Sequence, residues 1–359
     1  MRNSSNRGRS WARSKKFGLA FFTCGIIQSM TSLVKNDILI DMEKFVEEQL
    51  PLLRPVNDCW QPSDFLPDMS HESWHEKVDE LRKKAAGLSD EALVILVGNI
   101  VTEEALPSYQ TSLNRIHGLK DETGASLNPW ALWMRGWTAE ENRHGELLNK
   151  YLYLSGRANM HSVEITTHHL IKNGFDARSG NDPYRSIVYV AFQERATKIS
   201  HTNTGKLAEK CGDQILGRIC SVIAGDEARH EEAYKRFFRR IVEADAANAV
   251  IAFAEMMKQK ISMPARLMSD GAEEDLFEQF AVVAQRAGVY TIRDYAEVVR
   301  HLVDTWEIAS IPNLSDEAAE SQNYLCELSD YYLAKADRIQ EAILNFPKEP
   351  FKWIFGRSI

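Results

Sequence analysis

Two stretches of the chain carry the same rhythm of buried-type and polar positions. In the first, Trp130, Met134, Trp137, Glu141, His144, Leu148 and Tyr151 alternate at spacings of four and three residues. In the second, Leu216, Cys220, Ile223, Glu227, His230, Tyr234, Phe237 and Ile241 do the same. Such spacing marks the inward stripe of a helix in a bundle. Upstream of each lies a further stripe: Leu96, Ile100, Glu103, Leu106 and Leu113 before the first, and Ile187, Ala191 and Glu194 before the second. Almost nothing reads as strand. The segments Asp121–Pro129, Asn173–Pro183 and His201–Gly205 read as breaks, and Asn128-Pro129 as a helix start, a capping side chain followed by proline in the first turn. Pro51 to Pro67 is proline-rich and predicts an extended run over the surface. The pattern predicts an all-α fold, a four-helix bundle core within a larger single helical domain spanning residues 37–359.

The stripes are apolar except where Glu and then His appear, three residues apart and so on one helix face. A lone carboxylate and imidazole in an apolar interior are costly unless paired, neutralised or bound to a cation. One Glu-x-x-His tetrapeptide arises easily by chance. Two of them in phase with buried stripes, each preceded by an in-phase Glu, point to a shared metal site. The order Glu103, Glu141/His144, Glu194, Glu227/His230 is that of the ferritin-like di-iron carboxylate bundles. Four carboxylates and two imidazoles suit iron or manganese, and two Fe(II) ions would neutralise the four carboxylates. Buried ion pairs are the alternative. Pro107, four residues after Glu103, removes a helical hydrogen bond and predicts a kinked or widened helix at that ligand.

A second metal-binding pattern competes for attention. His71-Glu72-Ser73-Trp74-His75 spells the HExxH of zinc peptidases, with Glu72 as the general base. The charged run that follows has only a thin apolar seam of Trp74, Val78 and Leu81, and no third ligand is evident beyond Glu91. A solvated helix start is the better reading.

Charge and cysteine usage add context. Residues 1–36 hold seven basic and no acidic residues, so a net charge of −8 becomes −15 for the remainder. A basic, acid-free leader resembles an organelle transit peptide; a disordered tail, or a secretory segment built on Phe17–Ile27, are the alternatives. No stretch approaches the ~20 apolar residues of a membrane span, and the acidic body argues against nucleic acid as a partner. Lys235–Arg240 is a local basic exception, suited to an acidic protein partner or simply to solvent. Five scattered cysteines without a CxxC pair suit free thiols.

The segments Thr102-Glu-Glu-Ala-Leu-Pro-Ser-Tyr-Gln110, Trp137-Thr-Ala-Glu-Glu-Asn-Arg-His-Gly145, Phe192-Gln-Glu-Arg-Ala-Thr197 and Asp226-Glu-Ala-Arg-His230 resemble those of the plant stearoyl-acyl-carrier-protein desaturases. So do Asp58-Cys-Trp-Gln-Pro62 and Trp353-Ile-Phe355. The resemblance implies a homodimer of the plastid stroma that places a cis double bond, of the Δ9 type, in a saturated chain held on acyl carrier protein. Dioxygen would be the oxidant, reduced ferredoxin the electron donor, and two Fe(2+) per subunit the cofactor. It also implies roles: Glu141 and Glu227 bridging the irons, Glu103 and Glu194 terminal, His144 on one iron and His230 on the other. Asp226 and Trp60 would support His144, and Thr197 would offer a hydroxyl near the oxygen site or merely pack. The acyl-channel positions fall on Ser112, Arg115, Ser186 and Ile187, where the Δ9 enzymes usually carry Met, Thr, Gly and Phe. An Arg115 side chain closing the channel predicts that a 16-carbon chain is used better than an 18-carbon one. Two other readings stay open. One is a different di-iron oxidase, a hydroxylase or a ribonucleotide-reductase-like subunit with Tyr234 as radical carrier; the other is a non-catalytic iron-binding bundle.

Overall fold

The computed structural model describes residues 33–272 and 275–359. Four long helices make the core: α1 (Asp90–Glu104), α2 (Pro129–Ser155), α3 (Pro183–Lys210) and α4 (Gln214–Ala244). Local chemistry sets their starts. Asn128 caps α2 by accepting from the backbone N–H groups of Trp130 and Ala131, with Pro129 in the first turn. Asp182 caps α3 in the same way before Pro183. Shorter helices wrap this core, and the only pairing of strands among the described residues is the two-residue antiparallel ribbon Pro350–Phe351 with Arg357–Ser358.

The polar steps of the stripes fall between two apolar clusters. Trp130, Trp133, Met134 and Trp137 of α2 pack with Tyr234, Phe237 and Ile241 of α4 in one cluster. Leu147, Leu148 and Tyr151 pack with Leu216, Cys220 and Ile223 in the other. The early half of α2 thus meets the late half of α4, so the two run antiparallel, and the Glu and His residues form a polar layer between two greasy ones. Sealing on both sides keeps water from that layer, which is the condition under which its electrostatics are strongest.

Several expectations are revised. His201–Gly205 is not a break, because α3 runs through it. Its polar residues point inward: Thr204 accepts from Asn99 Nδ2 at 3.2 Å, and a Cβ on Gly205 would come within 3.2 Å of the Gly217 carbonyl oxygen on α4. Tertiary packing overrides weak helix propensity here. The break lies instead at Gly212-Asp213, where Gly212 takes φ 89° and Asp213 caps α4. At the amino end, residues 33–41 are already helical, Lys35 Nζ lies 2.6 Å from Asp182, and Asn36 accepts from the Gly118 N–H. The boundary drawn at residue 37 therefore falls inside a packed segment, and the leader up to residue 32 lies outside the described residues.

The HExxH pattern is not on one helix. His71 sits in a turn bonded to Ser73, the helix begins only at Trp74, and both histidines are exposed. The basic run Lys235–Arg240 is matched locally: Lys235 and Arg236 pair with Glu232, and Arg239 and Arg240 with Glu243. No single helix among the described residues is long and apolar enough to cross a membrane.

Candidate metal centre and its cleft

Glu103 comes from the last turn of α1. That helix stops at Glu104, and after a break at Ala105 the chain resumes as the helix Leu106–Leu113, with Pro107 in its first turn. Tyr109 Oη donates to the Thr102 carbonyl at 2.7 Å, supporting the interrupted end. Glu141 and His144 come from the middle of α2, Glu194 from α3, and Glu227 and His230 from α4. All six are buried.

Their ligating atoms converge in two groups of four, Glu103/Glu141/His144/Glu227 and Glu141/Glu194/Glu227/His230. Glu141 and Glu227 belong to both. His230 Nδ1 lies 2.6 Å from Glu141 Oε1 and 3.6 Å from Glu194; His144 Nδ1 lies 3.2 Å from Glu141 and 3.4 Å from Glu227. Despite this crowding, Glu141 Oε1, Glu227 Oε1 and both Nδ1 atoms lack a hydrogen-bond partner. Buried acceptors that touch without bonding face a common centre, the arrangement that suits a shared cation.

Both imidazoles turn Nε2 outward to a carboxylate: His144 to Asp226 at 3.5 Å, His230 to Glu140 at 3.1 Å. A carboxylate there fixes the tautomer that leaves the Nδ1 lone pair free for a metal. The pattern is crossed. Each carboxylate precedes the Glu of its own motif, in Glu140-Glu141 and Asp226-Glu227, and serves the histidine of the other helix. Arg229 donates to both, at 2.6 Å each. Asp226 also accepts from Trp60 Nε1 at 3.0 Å and from Arg143 at 3.1 Å, and the Trp60 ring stacks over His144 at 6.0 Å. Glu140 was not singled out in the sequence, although its place one residue before Glu141 was the available signal.

Two further residues were missed. His201 Nε2 lies 2.9 Å from Glu103, and Trp137 Nε1 donates to Glu194 at 2.9 Å, so each of these carboxylates has a partner of its own. His201 was read as part of a break; Trp137 was read as apolar stripe.

Without a cation the protons redistribute. Burial alone would depress both imidazoles, yet the carboxylates facing them, above all Glu141 and Asp226 at His144 and Glu140 and Glu141 at His230, hold them well above the ordinary histidine value. Burial and the charge of Glu141 push Glu194 and Glu227 upward. Burial also opposes ionisation of Asp226, but His144 and Arg229 outweigh it and hold that carboxyl below its usual range. Protons held by these imidazoles and carboxyls compete with a metal for the same atoms.

An apolar cleft of about 70 Å³ opens from this layer. Glu103, Glu141, Glu194, Glu227 and Thr197 form its polar side, and Leu106, Tyr109, Leu113 and Val190 are among its apolar walls. Thr197 Oγ1 donates to the carbonyls of Gln193 and Glu194 on its own helix. Of the four channel positions, Ser112 and Ser186 line the cleft, and Ile187 is buried in the adjoining cluster. Arg115 does not reach it. The guanidinium-bearing side chain is exposed in an outer groove, where water solvates it at no cost, so the closure expected from Arg115 does not occur. Across Gln193 lies a second, mainly apolar cavity of about 270 Å³. Tyr234 turns its hydroxyl to Met134 Sδ at 3.8 Å and bonds to no carboxylate of the layer.

Four helices supplying two overlapping carboxylate–imidazole sets beside an apolar cleft form a candidate dinuclear metal site in a bundle of the ferritin-like class. The chain belongs to the fatty acid desaturase family, which matches residues 34–355. It is 51% identical over 326 residues to the acyl-[acyl-carrier-protein] desaturase, chloroplastic, of Cucumis sativus, covering 90% of this chain and 82% of that one. It is 50% identical over 326 residues to the stearoyl-[acyl-carrier-protein] 9-desaturase, chloroplastic, of Olea europaea, covering 90% and 84%. Among solved structures, a putative acyl-ACP desaturase, DesA2 from Mycobacterium tuberculosis H37Rv, aligns with a TM-score of 0.49 at 16% identity, covering 79% of this chain and 99% of that chain.

Proposed function

We propose that this protein is an acyl-[acyl-carrier-protein] desaturase that places a cis double bond, of the Δ9 type, in a saturated acyl chain. The oxidant is dioxygen, reduced ferredoxin supplies electrons, and the centre holds two Fe(2+) per subunit. The observation that carries the reading is the apolar cleft whose polar side is the carboxylate layer itself. A saturated chain in that cleft brings its methylenes against the metal-binding side chains. The names of the relatives supply the substrate class and support a plastid location, and the acid-free basic leader agrees with it. We place the mature protein in the stroma as a homodimer.

The reaction balances as removal of two hydrogens from adjacent methylenes, with dioxygen, two electrons and two protons leaving as two waters. Bound iron supplies the power to activate dioxygen and to take hydrogen from an unactivated methylene, which no side chain has. The rest falls to the residues. Glu103, Glu141, His144, Glu194, Glu227 and His230 would hold the ions, Glu141 and Glu227 belonging to both groups of ligating atoms. Asp226 and Glu140 hold the imidazole protons at Nε2, and Trp60 and Arg143 fix Asp226. The cleft walls position the chain and exclude water. Thr197 keeps a hydroxyl on the wall beside Glu194.

The test is incubation of iron-loaded protein with palmitoyl- or stearoyl-acyl carrier protein, reduced ferredoxin and dioxygen, followed by mass spectrometry of the released fatty acids. A mono-unsaturated product that requires all three components is expected. A hydroxylated product, or a tyrosyl radical at Tyr234 without any lipid product, would replace the reading. For location, residues 1–36 fused to a fluorescent reporter should direct it to plastids; a cytosolic or secreted reporter would contradict that part.

A further inference from the structure

Glu103 lines a second recess besides the apolar cleft, a groove of about 670 Å³ between the end of α1, α2 and the helix Met160–Asn173. Glu103 and Leu106 are common to groove and cleft, so two side chains at the break in α1 stand between them. The groove is acidic. Glu103 and Glu104 lie at its inner end, Glu146 of α2 and Glu164 of the facing helix line it at exposed positions, and none of its lining residues is Lys or Arg. Glu104 accepts from Asn149 Nδ2 at 2.6 Å on one oxygen and from Thr167 Oγ1 at 3.2 Å on the other. Asn149 is on α2 and Thr167 on the facing helix, so this carboxylate is fixed across the groove by groups that carry no charge. Glu146 has Lys150 beside it at 2.6 Å, one turn along α2.

Behind Glu103 lie atoms without partners. Its Oε2 is 3.8 Å from His144 Nδ1, and His144 Nδ1, Glu141 Oε1 and Glu227 Oε1 are buried with no hydrogen bond. The groove thus leads, past one side chain, to ligating atoms left open for a cation. A hydrated divalent ion has to reach them from outside. Along the apolar cleft it would shed water with nothing in exchange, and apolar clusters close the layer on both sides. In the groove, carboxylates attract the ion and replace its water as it moves inward. A recess lined by charge of one sign raises the on-rate of an opposite ion by about 10- to 1,000-fold.

We propose that this groove is the entry route of the centre's metal. A hydrated divalent cation is gathered by Glu146 and Glu164, held at Glu104 and passed to Glu103, whose side chain is the last barrier. This rests on the reading of the layer as a metal centre and does not depend on the acyl substrate.

The experiment follows loading of the chelator-treated full chain with Co(II), whose visible absorption reports ligation, by stopped flow at low and at high salt. Wild type is compared with the double variant Glu146→Gln, Glu164→Gln, which alters exposed residues only. A second double variant, Asp337→Asn, Glu341→Gln, removes the same two charges from the helix Ala336–Leu344. The groove variant should load about tenfold more slowly at low salt, the gap should close at high salt as charge is screened, and Co(II) per chain at saturation should equal that of wild type. A loading rate equal to the wild type's would overturn the proposal, as would a slowing matched by the second double variant. So would a fall in saturating content, which would make these carboxylates part of the site and not of a route to it. A wild type that takes up no Co(II) would instead overturn the metal-centre reading, and the route with it.

Discussion

The metal-binding layer and the cleft wall at Ser112 and Phe175 are built in opposite ways. In the layer, six ligating side chains come from four core helices, and both imidazoles are held by a carboxylate at Nε2. Arg229 ties the two backing carboxylates together. Where the cleft borders the outer groove, the wall is Ser112 on an eight-residue helix and Phe175 on a connection that turns at Gly174. The layer is over-determined, so one altered residue strands buried charge and propagates to the rest. Where the cleft meets the outer groove only two side chains line both, and neither is among the candidate ligands. The candidate ligands thus sit where the fold is least able to vary, and this part of the cleft wall where a substitution costs least.

The largest effect that follows from this contrast is at the shared carboxylates. Glu141→Gln or Glu227→Gln removes one charge from both ligand sets at once. Removing one member of a buried charge array costs about 3–5 kcal/mol, so metal affinity should fall by at least ~100-fold and turnover should vanish. Elemental analysis alongside product assay checks this; a fully metallated, active variant would break the comparison.

A step outward, Asp226→Asn and Glu140→Gln keep all six ligands but weaken the hold on one imidazole each. Losses of about 10- to 100-fold in metal affinity or rate are expected. Asp226→Asn should be the worse, since it also releases Trp60 and Arg143. Equal and negligible effects of both would show that the crossed backing carboxylates are idle.

The protonation of the metal-free layer gives a third, moderate effect. His144 and His230 are raised above the unfolded histidine value, so the folded apoprotein binds more protons than the unfolded chain between that value and the folded one. The stability they contribute is fully present below the unfolded value and is lost as pH rises toward the folded one. Glu194 and Glu227, also raised, add no opposing trend at neutral pH. Metal binding gains over the same range as the competing protons leave. Thermal melts from pH 6 to 8 should therefore show the gap between iron-loaded and chelator-treated protein widening with pH; a gap that narrows would contradict the proton inventory.

The smallest effects belong to two positions that the sequence made conspicuous and the fold leaves on the surface. Arg115→Thr should leave the product ratio unchanged when palmitoyl- and stearoyl-acyl carrier protein compete in one reaction, and His71→Ala should leave metal content unchanged. Each should shift stability by no more than about 0.5 kcal/mol.

These cases show what was legible in the chain and why. The six layer residues could be found because helical periodicity puts residues three and four apart on one face, and a polar residue in a buried stripe stands out. Glu140 and Asp226 sit one residue off that stripe, where periodicity predicts solvent; the reach of the facing helix turns them inward, and only Asp226 was found, through resemblance. His201 was hidden because Thr, Asn and Gly around it lower helix propensity, while their contacts with α1 and α4 restore the helix. Arg115 misled because a position in an aligned segment says nothing about which way a long side chain swings. The place of Phe175 could not be read at all, since it depends on three recesses meeting at one connection.

The metal content of the purified, iron-supplemented protein tests the central claim most directly. Two overlapping ligand sets predict close to two irons per chain, falling sharply in Glu141→Gln and unaffected by His71→Ala. One zinc per chain, retained in Glu141→Gln and lost in His71→Ala, would contradict the account.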